Sequence, residues 1–190
     1  MIKVSAMERA FKNMFILSIL LCHLLGYGMA HAEGLSCSVS VIERTKDATK
    51  LSVKFENRSK DIVHIFDSKR MPYISVITPS NVLASFALQE PQPNIDYYMI
   101  ELPPTMEIAA GSTRKLLFDV NKPLLVSSHF SRPQPYNGRL DENMKVDAEV
   151  GVIPNSIPKK KAFDLGYNNV LRSQKIIKCK PVKITMPEQL

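Results

Sequence analysis

The chain has 190 residues and a formal net charge of +7. Its positive excess is scattered except at Lys159-Lys160-Lys161, the pattern of a solvated surface, with weak attraction to anionic lipid, polysaccharide or an acidic partner as the remaining reading. No basic helix and no strand interleaving aromatic with basic residues is present, which argues against nucleic acid as a partner.

The first stretch reads as an export signal. Lys3, Arg9 and Lys12 form a positive start, Met14 to Leu25 is an apolar run, and Ala30-His31-Ala32 is an A-x-A cleavage site. The run of 12 residues is too short to cross roughly 30 Å of hydrocarbon as a helix, so an uncleaved anchor is the weaker alternative. Leu21 before Cys22, and Gly34-Leu35-Ser36 before Cys37, both fit a lipidation site poorly. Cleavage after Ala32 predicts a periplasmic or secreted domain over residues 33–190, with no membrane-spanning segment. Losing three cations and one anion (Lys3, Arg9, Lys12 and Glu8) lowers +7 to +5. The 158 residues that remain are enough for one domain with its own core.

Ser36 to Ile42 alternates small polar and apolar residues and predicts a first strand. Leu51, Val53 and Phe55 then alternate with Ser52, Lys54 and Glu56. Asn57 to Asp61 supplies turn residues, and Ile62 to Phe66 is a second β-rich run, so Leu51–Phe66 reads as a β-hairpin. Tyr73 to Thr78 is a further strand. Val82 to Leu88 fits a strand or a helical turn. Pro91 and Pro93 make a rigid connection to a strand over Tyr97–Leu102. Met106–Ile108 is brief, and Thr113–Val120 alternates well apart from Leu117. Leu124–Phe130 is one more candidate. Lys145–Val152 alternates best, with Val146, Ala148, Val150 and Val152 facing in. Gln174–Ile184 closes the chain, with Pro181 marking an edge or a bulge. Ser131–Asn143 and Pro154–Ser173 read as long loops.

Cys22 leaves with the signal, and Cys37 and Cys179 remain. Strand parity turns Cys37 inward with Val39 and Val41, and Cys179 inward with Ile177. A bridge between the first and last strands suits an exported domain, while two separate buried thiols is the alternative.

Many short strands, thirteen prolines and the scarcity of helical periodicity predict an all-β fold, a single antiparallel two-sheet sandwich. Phe55-x-Asn57-x-Ser59, Gly111-Ser112-Thr113 and Phe118-x-Val120 resemble turn and strand-start patterns of immunoglobulin-like domains of bacterial envelope proteins. The resemblance spans about half of residues 33–190 and implies the fold without an activity. The Trp and the cysteine spacing of antibody domains are absent.

Chemistry is sparse. Residues 33–190 carry only His64 and His129, with no H-x-H, H-E-x-x-H or C-x-x-C, so neither a metal nor a cofactor is expected. No G-x-S-x-G elbow or phosphate loop occurs, although a Ser-His-Asp grouping assembles in space and is not legible in sequence. Asp147 and Glu149 fall on the outward side of their strand, which suits a solvated face better than an acid pair. Asn57-Arg58-Ser59 matches an N-glycosylation acceptor, relevant only in a eukaryotic source.

Loops longer than about 12–15 residues in a compact domain are functional or disordered. The expectation is therefore a non-enzymatic binding module. It would engage a protein partner in the bacterial envelope, as an inhibitor, immunity or accessory protein does. The contacts expected are Arg132 and Tyr136 in the first loop and Lys159, Lys160, Lys161, Phe163, Tyr167 and Arg172 in the second. A structural or chaperone-type component of envelope or pilus assembly, and a hydrolase with an unrecognised site, are the alternatives. A further alternative has Phe163, Leu165 and Tyr167 tucked back onto the sandwich, closing its edge.

Overall fold

A computed structural model describes residues 34–93, 100–153 and 166–185; the expected export signal and cleavage site lie outside them. The described chain is mostly β, with one short helix. The elements are β1 (Leu35–Arg44), β2 (Ala48–Asn57), β3 (Val63–Phe66), β4 (Tyr73–Thr78), β5 (Asn81–Phe86), β6 (Thr105–Ile108) and β7 (Thr113–Asn121). They continue as β8 (Leu125–Ser128), β9 (Ser131–Pro135), β10 (Asn143–Ile153), α1 (Tyr167–Ser173), β11 (Lys175–Lys178) and β12 (Val182–Thr185). No helix among the described residues is long and apolar enough to cross a membrane.

Two strands organise the sheets. β2 is the centre of the antiparallel sheet β1-β2-β7, and β10 is the centre of a seven-stranded sheet. Along one edge of β10 run β5 and then β3; along the other run β12 and then β11. The clean alternation of β10 is realised, with Val146, Ala148, Val150 and Val152 all buried. They face the apolar side of β2, where Leu51, Val53 and Phe55 are fully enclosed. Phe86 of β5 joins the two sheets, meeting Phe55 and Phe118 edge-on at ring separations of 6.5 and 6.0 Å.

The expected Leu51–Phe66 hairpin does not form. β2 and β3 belong to different sheets, so the chain between them is an arch. Asn57 makes the arch. It is 1% exposed, and its amide nitrogen donates to the carbonyls of Asp61 (2.8 Å), Ile108 (2.9 Å) and Ala109 (3.2 Å). Its Oδ1 accepts from the backbone and hydroxyl of Ser59. Local turn propensity sets a reversal here but not which sheet receives the returning strand. With the side chain spent inward, Asn57 is not presented as a glycan acceptor.

Four other expectations change. The sheets are not wholly antiparallel, because β5 and β10 run parallel over Asn81–Phe86 and Lys145–Val150. The chain between β5 and β10 forms β6 to β9, which is long enough for a crossover. The first long loop contains β9, paired with β8 despite its two prolines. The last strand is two strands, interrupted over 179–181. The strand expected over Tyr97–Leu102 falls partly on residues 94–99, outside the described residues, and 100–102 are not strand.

That interruption is where the bridge sits. Cys37 of β1 and Cys179 are disulfide-bonded, with Cα atoms 4.6 Å apart. Around it Val39 N donates to Lys180 O and Lys180 N to Cys37 O, both at 2.9 Å, while Cys179 N donates to Ala148 O at 2.8 Å. The segment thus ties β1 of the smaller sheet to β10 of the larger one.

A second apolar cluster covers the other face of the larger sheet. Val63 and Ile65 of β3 point into the main core, while Phe66 points the other way. Val152 and Ile153 divide in the same manner. Phe66, Leu88, Ile153, Tyr167 and Val170 form this cluster, with α1 as its lid. The close approach requires Gly151. A Cβ there would run into the Gln174 side chain and stand 3.1 Å from Ala87 Cα and the Phe66 ring.

Candidate functional site

The end of the molecule around α1 gathers the polar side chains that local sequence leaves unexplained. After β5 the chain leaves the ladder at Leu88 and Gln89, and its backbone groups need new partners. The two ends of α1 supply them, Tyr167 at its start and Gln174 just past its last residue. Gln174 bonds the Leu88 backbone twice, accepting from its N–H (3.0 Å) and donating to its carbonyl (2.9 Å). The Tyr167 hydroxyl does the same for Gln89, donating to the carbonyl at 2.6 Å and accepting from the N–H at 3.2 Å. Two side chains therefore replace a strand, one at each end of α1.

Gln89 extends the network to the β8–β9 turn, where its Oε1 accepts from His129 N at 2.9 Å. The His129 ring lies between Phe130 and Tyr167, at centroid distances of 4.9 and 5.1 Å. Its Nδ1 is 2.6 Å from the Tyr73 hydroxyl. Burial and the Arg70 guanidinium push the His129 pKa below the usual imidazole value, against a hydrogen bond donated to the Glu101 backbone and the Glu101 charge, which oppose them. A neutral ring then accepts at Nδ1 from Tyr73 and donates its proton to the Glu101 backbone. Burial raises the pKa of Tyr167 strongly and that of Tyr73 in the same direction, so both hydroxyls stay protonated donors. His129 thus links the β8–β9 turn to Tyr73, Gln89 and Tyr167.

Two cavities flank this network. One, about 780 Å³, is lined by Leu88 to Gln92, Glu149, Asn168, Arg172 and Gln174 among others. The second, about 390 Å³, is lined by Arg70, Tyr73, Ile100, Glu101, His129 and Phe130 among others. Phe130 borders both. Among the described residues no group of three or more His, Cys, Asp or Glu is placed to hold a metal ion.

The expected contact residues divide. Arg172 is exposed on α1 and lines the larger cavity. Tyr167 is 6% exposed and supports the segment from beneath. Arg132 is exposed on β9. Tyr136 is half-buried against the main core, its N–H donating to Leu124 O. It lies beyond the far end of β9 from Phe130, whose ring is 6.0 Å from that of Tyr167. Lys159, Lys160, Lys161 and Phe163 lie outside the described residues.

Sequence reasoning missed Gln89, Gln174, Tyr73 and the role of His129. A lone Gln carries no motif, and its partners lie up to 86 positions away. Only the prolines at 91 and 93 signalled that the backbone there would leave the sheet. His64, the other histidine, is half-buried, and its Nδ1 has no hydrogen-bond partner among the described residues. No family model matches this chain, and comparison with curated proteins and with solved structures finds no match.

Proposed function

We propose that this chain is an exported, non-enzymatic binding module with an immunoglobulin-like sandwich. It engages a protein partner of the bacterial envelope as an inhibitor, immunity or accessory protein would. One observation carries the reading. The roots of three connections converge on the cluster of Phe66, Leu88, Ile153, Tyr167 and Val170. Leu88 opens the connection from β5 and Ile100 and Leu102 end it, Phe130 sits in the β8–β9 turn, and Ile153 and Tyr167 bracket the passage from β10 to α1. Segments anchored at both ends lose less entropy on binding, which is how rigid scaffolds present recognition loops. The connection from β10 carries Lys159, Lys160 and Lys161 and ends at exposed Arg172, so an acidic partner surface fits best. The disulfide is compatible with an oxidising compartment, as the leader expects.

The test is a pull-down from envelope extract, followed by quantitative binding of the recovered partner. Tyr167→Ala is a poor probe because it opens the buried cluster. The variants of choice are Lys159/Lys160/Lys161→Ala and Arg172→Ala, each checked for unchanged melting. A loss of affinity that grows at low salt supports the reading. Wild-type affinity in both variants would remove this end as the interface, and Arg132→Ala and Tyr136→Ala then judge the β9 side.

A further inference from the structure

Among the described residues β7 pairs with β2 alone, and along its outer edge Leu117, Asp119 and Asn121 border a groove of about 370 Å³ lined across from them by Lys69 to Pro72, Ser127 and Ser131. Asn57 N donates to Ser112 O, and Lys122 N donates to Asp47 O. With the β2–β7 register, this directs the backbone groups of even-numbered β7 residues toward β2. Those of Thr113, Lys115, Leu117, Asp119 and Asn121 face away. β7 is nine residues long, its ladder has no bulge, and it contains no proline. The other edges are blunted. β1 is bulged at Val41/Glu43 and bridged by Lys180; β4 is bulged at Val76/Thr78 and capped at Ile74 N by Ser127 Oγ. β6, β8, β11 and β12 have four residues each, and β9 carries two prolines. A long regular edge left unpaired is a template for another strand.

The side chains beside that edge say which strand. Leu117 is 59% exposed at the middle of β7, between Lys115 and Asp119 on the same outward face. If two β7 strands pair antiparallel about a two-fold axis at Leu117, Leu117 meets its own copy. Each Lys115 then stands opposite Asp119 of the second copy, and each Thr113 opposite Asn121. Every facing pair consists of residues whose backbone groups point outward, as a ladder requires. Neighbouring registers lose this match. A shift one way sets Lys115 against Leu117, and a shift the other way sets Leu117 against Asp119. The next shifts place Lys115 against Lys115 or Asp119 against Asp119. Opposite charges facing across strands stabilise and like charges destabilise, so the charges select one register.

We propose that β7 is a homodimer interface, joining two copies of this chain edge to edge into a continuous six-stranded antiparallel sheet with Leu117 on the two-fold axis. The contact is isologous and closes at two copies. It does not rest on the partner-binding reading, which concerns α1 and its neighbouring connections.

Sedimentation equilibrium of the purified chain tests it, with Lys115→Asp, Asp119→Lys, the double swap and Leu117→Pro. Lys115 and Asp119 are exposed, and proline is tolerated on an edge strand where its nitrogen faces solvent, so all four should fold. Wild type should dimerise in the micromolar range. Each single reversal should weaken dimerisation at least about tenfold, and Leu117→Pro should abolish it. The double swap should restore it. Mixing Lys115→Asp with Asp119→Lys should give a heterodimer, because each then supplies the charges the other lacks. A wild-type monomer at every concentration overturns the proposal. So does a dimer indifferent to the reversals, which would use another face, or a mixture of the two reversals that fails to associate.

Discussion

Removing the Cys37–Cys179 bridge should lower stability substantially and leave the fold intact. The bridged residues are 142 positions apart. Closing a loop of that length in the unfolded chain removes entropy worth about 5 kcal/mol in the chain-entropy treatment. For a domain of this size each kcal/mol moves the melting midpoint by about 2–4 °C, so the fall is about 10–20 °C. The joint itself should still close. Val39 N to Lys180 O, Lys180 N to Cys37 O and Cys179 N to Ala148 O persist without the sulfur bond, each contributing on the order of 1 kcal/mol. The assay is urea unfolding of the oxidised protein, the reduced protein and the Cys37→Ser/Cys179→Ser double variant, with circular dichroism as a check on strand content. The oxidised protein should also unfold with a shallower denaturant slope, because its cross-linked unfolded state exposes less surface. Equal midpoints and slopes before and after reduction, with two thiols titrated in the reduced sample, would refute the reasoning. So would two free thiols in the denatured, unreduced protein.

Asn57→Ala should cost about 2–4 kcal/mol in urea unfolding, because it removes the buried donor to the Ile108 carbonyl and the acceptor for Ser59 that hold the arch. Gly151→Ala should cost about 1–3 kcal/mol, since the added methyl displaces the Gln174 side chain from the Leu88 backbone; no loss would mean α1 packs more loosely than described. Tyr167→Phe should keep the cluster but lose both hydroxyl bonds to Gln89, costing about 1–2 kcal/mol by thermal melting. His129 has a folded pKa below its unfolded value of about 6.5, so the unfolded chain takes up the proton first. Its contribution is present above that value and is lost as pH falls through the lower folded pKa. Melting midpoints on the acid side should therefore drop more steeply for wild type than for His129→Gln, and parallel curves would count against a neutral His129.

Some of this architecture is written in short-range pattern. β10 and β7 are visible because alternation with period two depends only on neighbours along one strand, and each half-buried strand must sort its own side chains between core and water. The bridge was legible for a related reason. Parity within the expected strands turned Cys37 and Cys179 inward, although the structure places Cys179 between β11 and β12, and the sequence holds only one other cysteine, Cys22. Leu117 was already visible as the break in the β7 pattern, but its place on the last strand of its sheet was not. Which strands become neighbours was decided elsewhere. Asn57 looks the same as a hairpin turn residue or as the keystone of an arch until Ile108 and Ala109, 51 and 52 positions away, present their carbonyls. The parallel pairing of β5 with β10, the conversion of half a loop into β9, and the clamps of Tyr167 and Gln174 on Gln89 and Leu88 are of the same kind. Each satisfies backbone or apolar groups left over by one segment with groups from another far along the chain. Local sequence determines what a segment needs to bury or bond. Only the packed chain determines which distant segment meets that need, because many partners satisfy it equally well until the sheets close on their core.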